Sequence, residues 1–373
     1  MKERGDLHQD ENGYWIEGPA LDWQALPARV EAVIAERIDR LGPELQEMLT
    51  VASVEGEVFT AQVVAQVRQM AERPGLQRLS QDLERQHRLV REQEEVPAGG
   101  RRLSRFRFRH SLFRDYVYNQ LSQGERRLLH GEVAAALEHQ YDGQLDGMAV
   151  QLAHHYQLAS NDERALQYLT MAAERASHLF ANDEASAHYT GAIEVAERMA
   201  LEGTLLASLH RGRGLALQRL GTFNGARSDH MAVLQMARAA GERCLEWRAL
   251  LDLGQLWAGR DYARARSYFE QALELAREMG DPATLADSLN WMGNWFANAE
   301  DSRTAVAYHQ EALELVEGLN DSQQLANTLD LLGLAYLLGG NLTASVQIYD
   351  RAIALSRELD DRPRLLTGLI ARA

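Results

Sequence analysis

Lysine is almost missing from this 373-residue chain: 38 of its 39 basic residues are arginine, and Lys2 is the exception. A Walker A loop sets a lysine on the β- and γ-phosphates of a nucleotide. No Gly-Lys-Ser/Thr occurs here, so the sequence carries no P-loop of its own. Cysteine is equally scarce. The single Cys244 excludes an internal disulfide framework and a cysteine-rich metal site, and a reducing cytoplasm is the expected compartment. No uninterrupted apolar run reaches the roughly 18 residues of a membrane span, and Met1-Lys2-Glu3-Arg4-Gly5-Asp6 lacks the apolar core of a signal peptide. His-Glu-x-x-His, Gly-x-Ser-x-Gly and acidic metal loops are also absent. The chain is therefore not expected to be an enzyme, and no cofactor or metal ion is predicted. A net charge of −15 argues against DNA as a general partner.

What is present is a repeat of about forty residues. A small-large-small pattern recurs as Ala185/Tyr189/Ala192, Ala226/His230/Val233, Ala265/Phe269/Ala272, Ala305/His309/Ala312 and Ser345/Tyr349/Ala352, spaced by 41, 39, 40 and 40 residues. Such a period signals a solenoid, whose units bury their apolar faces by stacking on one another. Ahead of each later triplet lies an apolar stripe around a glycine: Leu250-Leu253-Gly254-Trp257, Leu289-Met292-Gly293-Phe296 and Leu329-Leu332-Gly333-Tyr336. The offsets of three and four mark a first helix, and the triplet marks a second. A mid-helix glycine costs about 1 kcal/mol, so its return at 214, 254, 293 and 333 implies close packing there. Gly280-Asp281-Pro282, Asn320-Asp321 and Asp360-Asp361-Arg362-Pro363 are read as the ends of second helices. A further triplet, Ala165/Leu169/Ala172, starts the array irregularly. The units resemble the longer form of the tetratricopeptide repeat, with Tyr262-Ala265-Phe269-Ala272-Leu273 as its second-helix signature.

The N-terminal third reads differently. Amphipathic spacing over Val30, Val33, Ile34, Ile38 and Leu41 predicts a helix from Leu26-Pro27 to Gly42-Pro43. Further helices are expected at 44–53, after Thr60 as N-cap, and at 75–88. Two β-runs, 88–91 and 105–110, flank a loop with Gly99-Gly100; strict alternation in the second gives it one aromatic and one charged face. Three or four helices followed by a hairpin describe a winged helix. The expected fold is thus mainly α: residues 1–25 the tail of a preceding module, 26–121 a winged helix with a small β-hairpin, 122–160 a helical linker, and 161–373 an α-solenoid of tetratricopeptide-like repeats.

Several stretches carry a more specific likeness. They are Arg37-Ile38-Asp39-Arg40-Leu41, Ala52-Ser53-Val54-Glu55-Gly56, Phe106-Arg107-Phe108-Arg109-His110-Ser111-Leu112, Arg126-Arg127-Leu128-Leu129-His130 and Leu152-Ala153-His154-His155-Tyr156. Together with the repeats they resemble the region downstream of the nucleotide domain in bacterial signalling ATPases of the STAND type. That resemblance implies a regulatory arm, an NTPase domain upstream as partner, and His110 as a possible sensor of the nucleotide phosphate. The alternative for His110 is packing at a strand–helix corner.

By alignment with tetratricopeptide repeats, first-helix residues would line a concave groove: Arg211, Arg248, Gln255, Asp287, Asn290, Asn294, Asn327 and Asp330. Asparagine both donates and accepts, which suits an extended peptide or protein segment; an ordinary solvated face is the plainer alternative. Adjacent His154 and His155 point about 100° apart on a helix and are expected to pack rather than chelate. Asp10–Ile16 reads as a hairpin, and the repeat register would place Ala373 inside a further first helix, so both ends suggest a piece of a larger protein. Two other readings stay open: an autonomous adaptor, and DNA binding through Arg105, Arg107 and Arg109.

Overall fold

Four glycines in the repeats each lie under an aromatic ring. A Cβ on Gly254 would stand 2.4 Å from Phe269 Cε1, and on Gly293 2.6 Å from His309 Cε1. Gly214 and Gly333 face His230 and Tyr349 at 2.8 and 3.0 Å. The small position thus accommodates the large ring of the second helix in the same unit.

The computed structural model describes residues 7–9, 15–17, 28–319 and 321–372. The chain divides into two compact units between Ala172 and Ala173, within the helix Asp162–His178.

In the first unit β1 (Leu7–Gln9) pairs antiparallel with β2 (Trp15–Glu17); most of the hairpin expected over Asp10–Ile16 lies outside the described residues. Helices α1 (Ala28–Asp39) and α2 (Pro43–Glu55) follow; the α1 start expected at Leu26-Pro27 also lies outside them. Ile34 and Ile38 are buried, but Val33 is 57% exposed and leaves the predicted core face. Next come β3 (Val58–Thr60) and α3 (Ala61–Val67). Thr60 holds the predicted N-cap position, but its side chain makes no capping bond; its amide instead donates to Glu55 Oε1 at 2.9 Å. The fourth helix begins earlier than expected, as α4 (Glu72–Gln77), and continues as a π-helix over Arg78–Gln86.

Strands β4 (Val90–Glu92) and β7 (Arg105–Phe108) enclose a short hairpin of β5 (Val96–Ala98) and β6 (Arg101–Leu103). Gly99 and Gly100 form its two-residue turn with φ of +54° and +76°. Positive φ at both positions is the type I′ geometry that matches strand twist, so the expected loop is itself a hairpin. The main sheet has the order β3-β7-β4, all antiparallel. Alternation along β7 buries Phe106 and Phe108 against Phe59 and leaves Arg107 exposed. Helices α5 (Ser111–Gln120), α6 (Gln123–Gln140), α7 (Ala149–Leu158) and α8 (Asp162–His178) complete the N-terminal elements. A capping box between Ser122 and Glu125 opens α6.

The second unit is a solenoid of antiparallel helix pairs. After α9 (Asn182–Arg198) come α10 (Thr204–Arg219) with α11 (Phe223–Ala240), α12 (Arg243–Ala258) with α13 (Tyr262–Met279), α14 (Pro282–Asn298) with α15 (Ser302–Val316), and α16 (Ser322–Leu338) with α17 (Leu342–Glu358), then α18 (Arg362–Arg372). Every residue of the five repeat triplets is buried, Tyr189 the most exposed at 7%. The polar breaks act as starts as much as stops. Asp281 accepts the Thr284 amide at 2.9 Å, and Asp261, Asp301, Asp321 and Asn341 cap their helices in the same way.

Candidate functional site

The first helices α10, α12, α14 and α16 stand side by side, so residues one repeat apart meet. Arg211 forms a two-pronged bond to the buried Asp252, with Nε–Oδ2 at 2.6 Å and NH2–Oδ1 at 3.1 Å. Trp247 Nε1 donates to Ser288 Oγ at 2.7 Å. Gln324 Nε2 donates to Asp287 Oδ1 at 3.0 Å. Asn290 Nδ2 donates to Thr328 Oγ1 at 2.8 Å, while its Oδ1 accepts from His309 Nδ1 at 3.0 Å. These cross-unit bonds span 37 to 41 residues, so the ladder shares the repeat's own period.

The predicted groove residues therefore separate into two groups. Arg211 and Asp287 tie first helices together, and Asn290 is 3% exposed with both halves of its amide bonded. Asn290 is corrected from a groove contact to a structural group. Arg248 is exposed, with its guanidinium 5.4 Å from the Trp247 ring. Gln255, Asn294, Asn327 and Asp330 are half-buried. Burial raises the carboxyls of Asp287 and Asp330 above their ordinary pKa. Burial likewise holds His309 down to about 4, so it is neutral near pH 7 and donates to Asn290 through Nδ1.

In the first unit Arg91, Gln93, Arg107, Arg109, His110 and Glu57 surround a cavity of about 410 Å³. His110 is at the predicted strand–helix corner, ahead of α5, but it is exposed and its side chain does not cap the helix. Arg107 is held by Glu57 Oε1 through Nε at 2.9 Å and NH2 at 2.6 Å, and Arg109 Nε donates to the Val90 carbonyl at 3.2 Å.

A second polar constellation joins α2, α5, α6 and α7. Tyr118 Oη lies 3.0 Å from His130 Nε2, and His130 Nδ1 lies 2.8 Å from His155 Nδ1. His155 also bonds the main-chain carbonyl of Glu55. The three side chains form a continuous hydrogen-bonded line, and both imidazoles are neutral near pH 7. Burial, followed by the nearby His154, Arg114 and Arg126, holds His130 at about 4. Burial, His130 and His154 hold His155 at about 3. His154 itself is exposed, so the adjacent pair diverges as expected. No group of three such residues suited to a metal occurs among the described residues. His130 was missed from the sequence because its partner lies 25 residues away on another helix. Cys244 is exposed, and no helix among the described residues is long and apolar enough to cross a membrane.

The tetratricopeptide repeat profile matches residues 250–283 and 284–358. No curated protein matches the sequence at a significant level. Among solved structures, apo RapI is 12% identical and covers 90% of this chain and 80% of its own, with a TM-score of 0.52. The Rap conjugation gene regulator of plasmid pLS20, in complex with the Phr* peptide, is 16% identical over 68% of this chain and 75% of its own, at 0.50. A STAND signal-transduction ATPase with a tetratricopeptide repeat sensor from Pyrococcus horikoshii is 12% identical over 93% of this chain, at 0.44; the present chain spans 56% of it. The fold is a small mixed N-terminal unit and a helical solenoid of the tetratricopeptide type.

Proposed function

We propose that the chain is a sensing region that binds a peptide or protein segment along the first-helix face of its repeats, and that it serves as the regulatory arm of a STAND-type signalling ATPase. One observation carries the binding half. The cross-unit ladder uses Arg211, Asp252, Asp287, Asn290 and Gln324 and leaves Arg248, Gln255, Asn294 and Asn327 beside it, part-exposed, as polar groups available to a main chain. The related fold of the Rap regulator, solved with the Phr* peptide, supports the same reading. The ATPase half rests on the sequence resemblance and on the element order of the first unit. Three helices and an antiparallel sheet, α1 to α3 with β3-β7-β4, are compatible with the winged helix of this reading, and His110, exposed beside Arg91, Arg107 and Arg109, would be the group that reads a nucleotide phosphate of an upstream domain. A ligand then acts by binding one nucleotide state of the parent more tightly than the other. DNA binding is the weaker reading, since Arg107 and Arg109 are already held by Glu57 and Val90.

The test is a pull-down from source-cell lysate with two kinds of variant. Arg248→Ala/Asn294→Ala/Asn327→Ala should melt like the parent chain and lose its partner. Asn290→Ala strands the His309 donor and should instead cost about 1–3 kcal/mol of stability, read as a lower melting temperature. A partner retained by the folded triple variant would contradict the groove.

A further inference from the structure

We infer that a cavity between α13 and α14 receives one apolar side chain of the bound peptide and so sets its register. The inference rests on the peptide-binding reading above and adds to it the residue class that is recognised. The cavity has a volume of about 270 Å³, below the roughly 300–1,000 Å³ of a small-molecule site but roomy enough for a leucine- to phenylalanine-sized side chain.

Its walls are aromatic and fixed. Phe269 is 2% exposed, and Trp291 stacks on it at a centroid distance of 5.6 Å and an interplanar angle of 13°. Trp295 is pinned by its Nε1–H, which donates to the Tyr262 carbonyl at 3.1 Å, and the Tyr262 ring lies 6.0 Å away. Neither indole needs to move to make room, so little ordering cost attends binding.

Asn294 and Asn298, one turn apart on α14, also line the cavity. Asn298 Nδ2 donates to the Asn294 carbonyl at 2.9 Å, whereas the Asn294 side-chain amide makes no hydrogen bond among the described residues. It is free to donate to and accept from a passing main chain. In an extended peptide alternate side chains project to opposite sides, so one enters the pocket while the backbone meets Asn294.

Charge decides between an apolar and a cationic occupant. Aromatic walls alone would also suit an ammonium group. No carboxylate lines this cavity, and the Arg266 guanidinium already lies 5.3 Å from the Trp295 ring, bonded to Glu270 at 2.7 Å. An entering cation would meet that positive charge and find no counter-ion. A neutral branched or aromatic side chain meets neither penalty.

The test pans a phage-displayed library of random heptapeptides against the full chain, Ala258→Phe and Tyr262→Ala. The first variant fills the cavity. The second removes an exposed wall and leaves the main-chain bond to Trp295 intact. Circular dichroism confirms that each is folded, and either one alone suffices to decide. The expected peptides share one position enriched in Leu, Ile, Met or Phe, and a representative binds about tenfold more weakly to the variants. Peptides lacking such a position, peptides enriched there in Lys or Arg, or affinities unmoved by both variants would overturn the pocket while leaving peptide binding standing. Failure to select any peptide would overturn both.

Discussion

Replacing Gly254 by alanine should destabilise the repeats, although the same change in an ordinary helix interior is worth about 1 kcal/mol in the opposite direction. The added methyl would sit 2.4 Å from Phe269 Cε1 and 2.6 Å from Cδ1, and Phe269 is 2% exposed with Trp291 stacked against it. Trp291 holds one face of the ring, so Phe269 relieves the clash only by shifting toward the adjoining cavity and giving up that stack. Overpacking of this kind costs about 1–3 kcal/mol, or several degrees in melting temperature for a unit of this size. The companion variant makes the argument specific. Phe269→Ala alone should cost about 3–5 kcal/mol through the cavity it leaves, but in that background Gly254→Ala should cost nothing or stabilise, because its clash partner is gone. The quantity to measure is the coupling in a double-mutant cycle by urea unfolding. Additive effects would show that Gly254 is present for some reason other than the ring.

Acid should weaken the first unit through the histidine relay, with a midpoint set by burial rather than by surface charge. His130 and His155 have folded values of about 4 and 3 against an ordinary 6.5. Depressed histidine values mean that the unfolded chain binds more protons below pH 6.5, so stability rises with pH through that window. Glu55 works in the opposite sense. Burial raises it from 4.5 to about 7, so the folded state keeps a proton that the unfolded state has lost between those limits. Two protons taken up on unfolding less one released leave a net of one between pH 4.5 and 6.5, a slope of about 1.4 kcal/mol per pH unit. Below pH 4.5 Glu55 no longer opposes, but folded His130 begins to take up its own proton near pH 4 and His155 near pH 3, so the slope stays between one and two protons and then declines. Stability of the first unit should therefore peak near pH 6.5. Glu55→Gln removes the opposing group and should steepen the limb between pH 4.5 and 6.5 to about two protons, as read from urea unfolding at a series of pH values. A flat profile from pH 7 to 5 would contradict the neutral relay.

The periodic part of this architecture was open to reading because one chemical requirement repeats. A ring at the large position needs a glycine opposite it, and both return every forty residues or so. The caps were half-visible. Asp281 and Asp321 were read as helix ends and prove to be starts, because an aspartate after a helix accepts the next helix's amides. The polar ladder stayed hidden although its period was in view. Arg211 with Asp252 and Asn290 with Thr328 are one repeat apart, but a groove assignment by repeat alignment asks which positions face the groove and not what each side chain meets in the next unit. That is why Asn290 was placed on the wrong side of the line between binding and structure. In the first unit there is no period to extrapolate from. The Tyr118–His130–His155 chain joins three helices through single contacts, and only the tertiary arrangement brings them together. Val33 shows the same limit at smaller scale: its spacing fits the apolar stripe of α1, but it is exposed.

The most direct test of the binding face places a photo-reactive p-benzoylphenylalanine at Asn327, on the first-helix side, or at the exposed Glu314, on a second helix, and irradiates the protein in its source cells. The account predicts a discrete adduct from position 327, suppressed by Arg248→Ala/Asn294→Ala, and none from 314. Adducts from 314 with none from 327 would contradict it, and would move recognition to the outer surface of the solenoid.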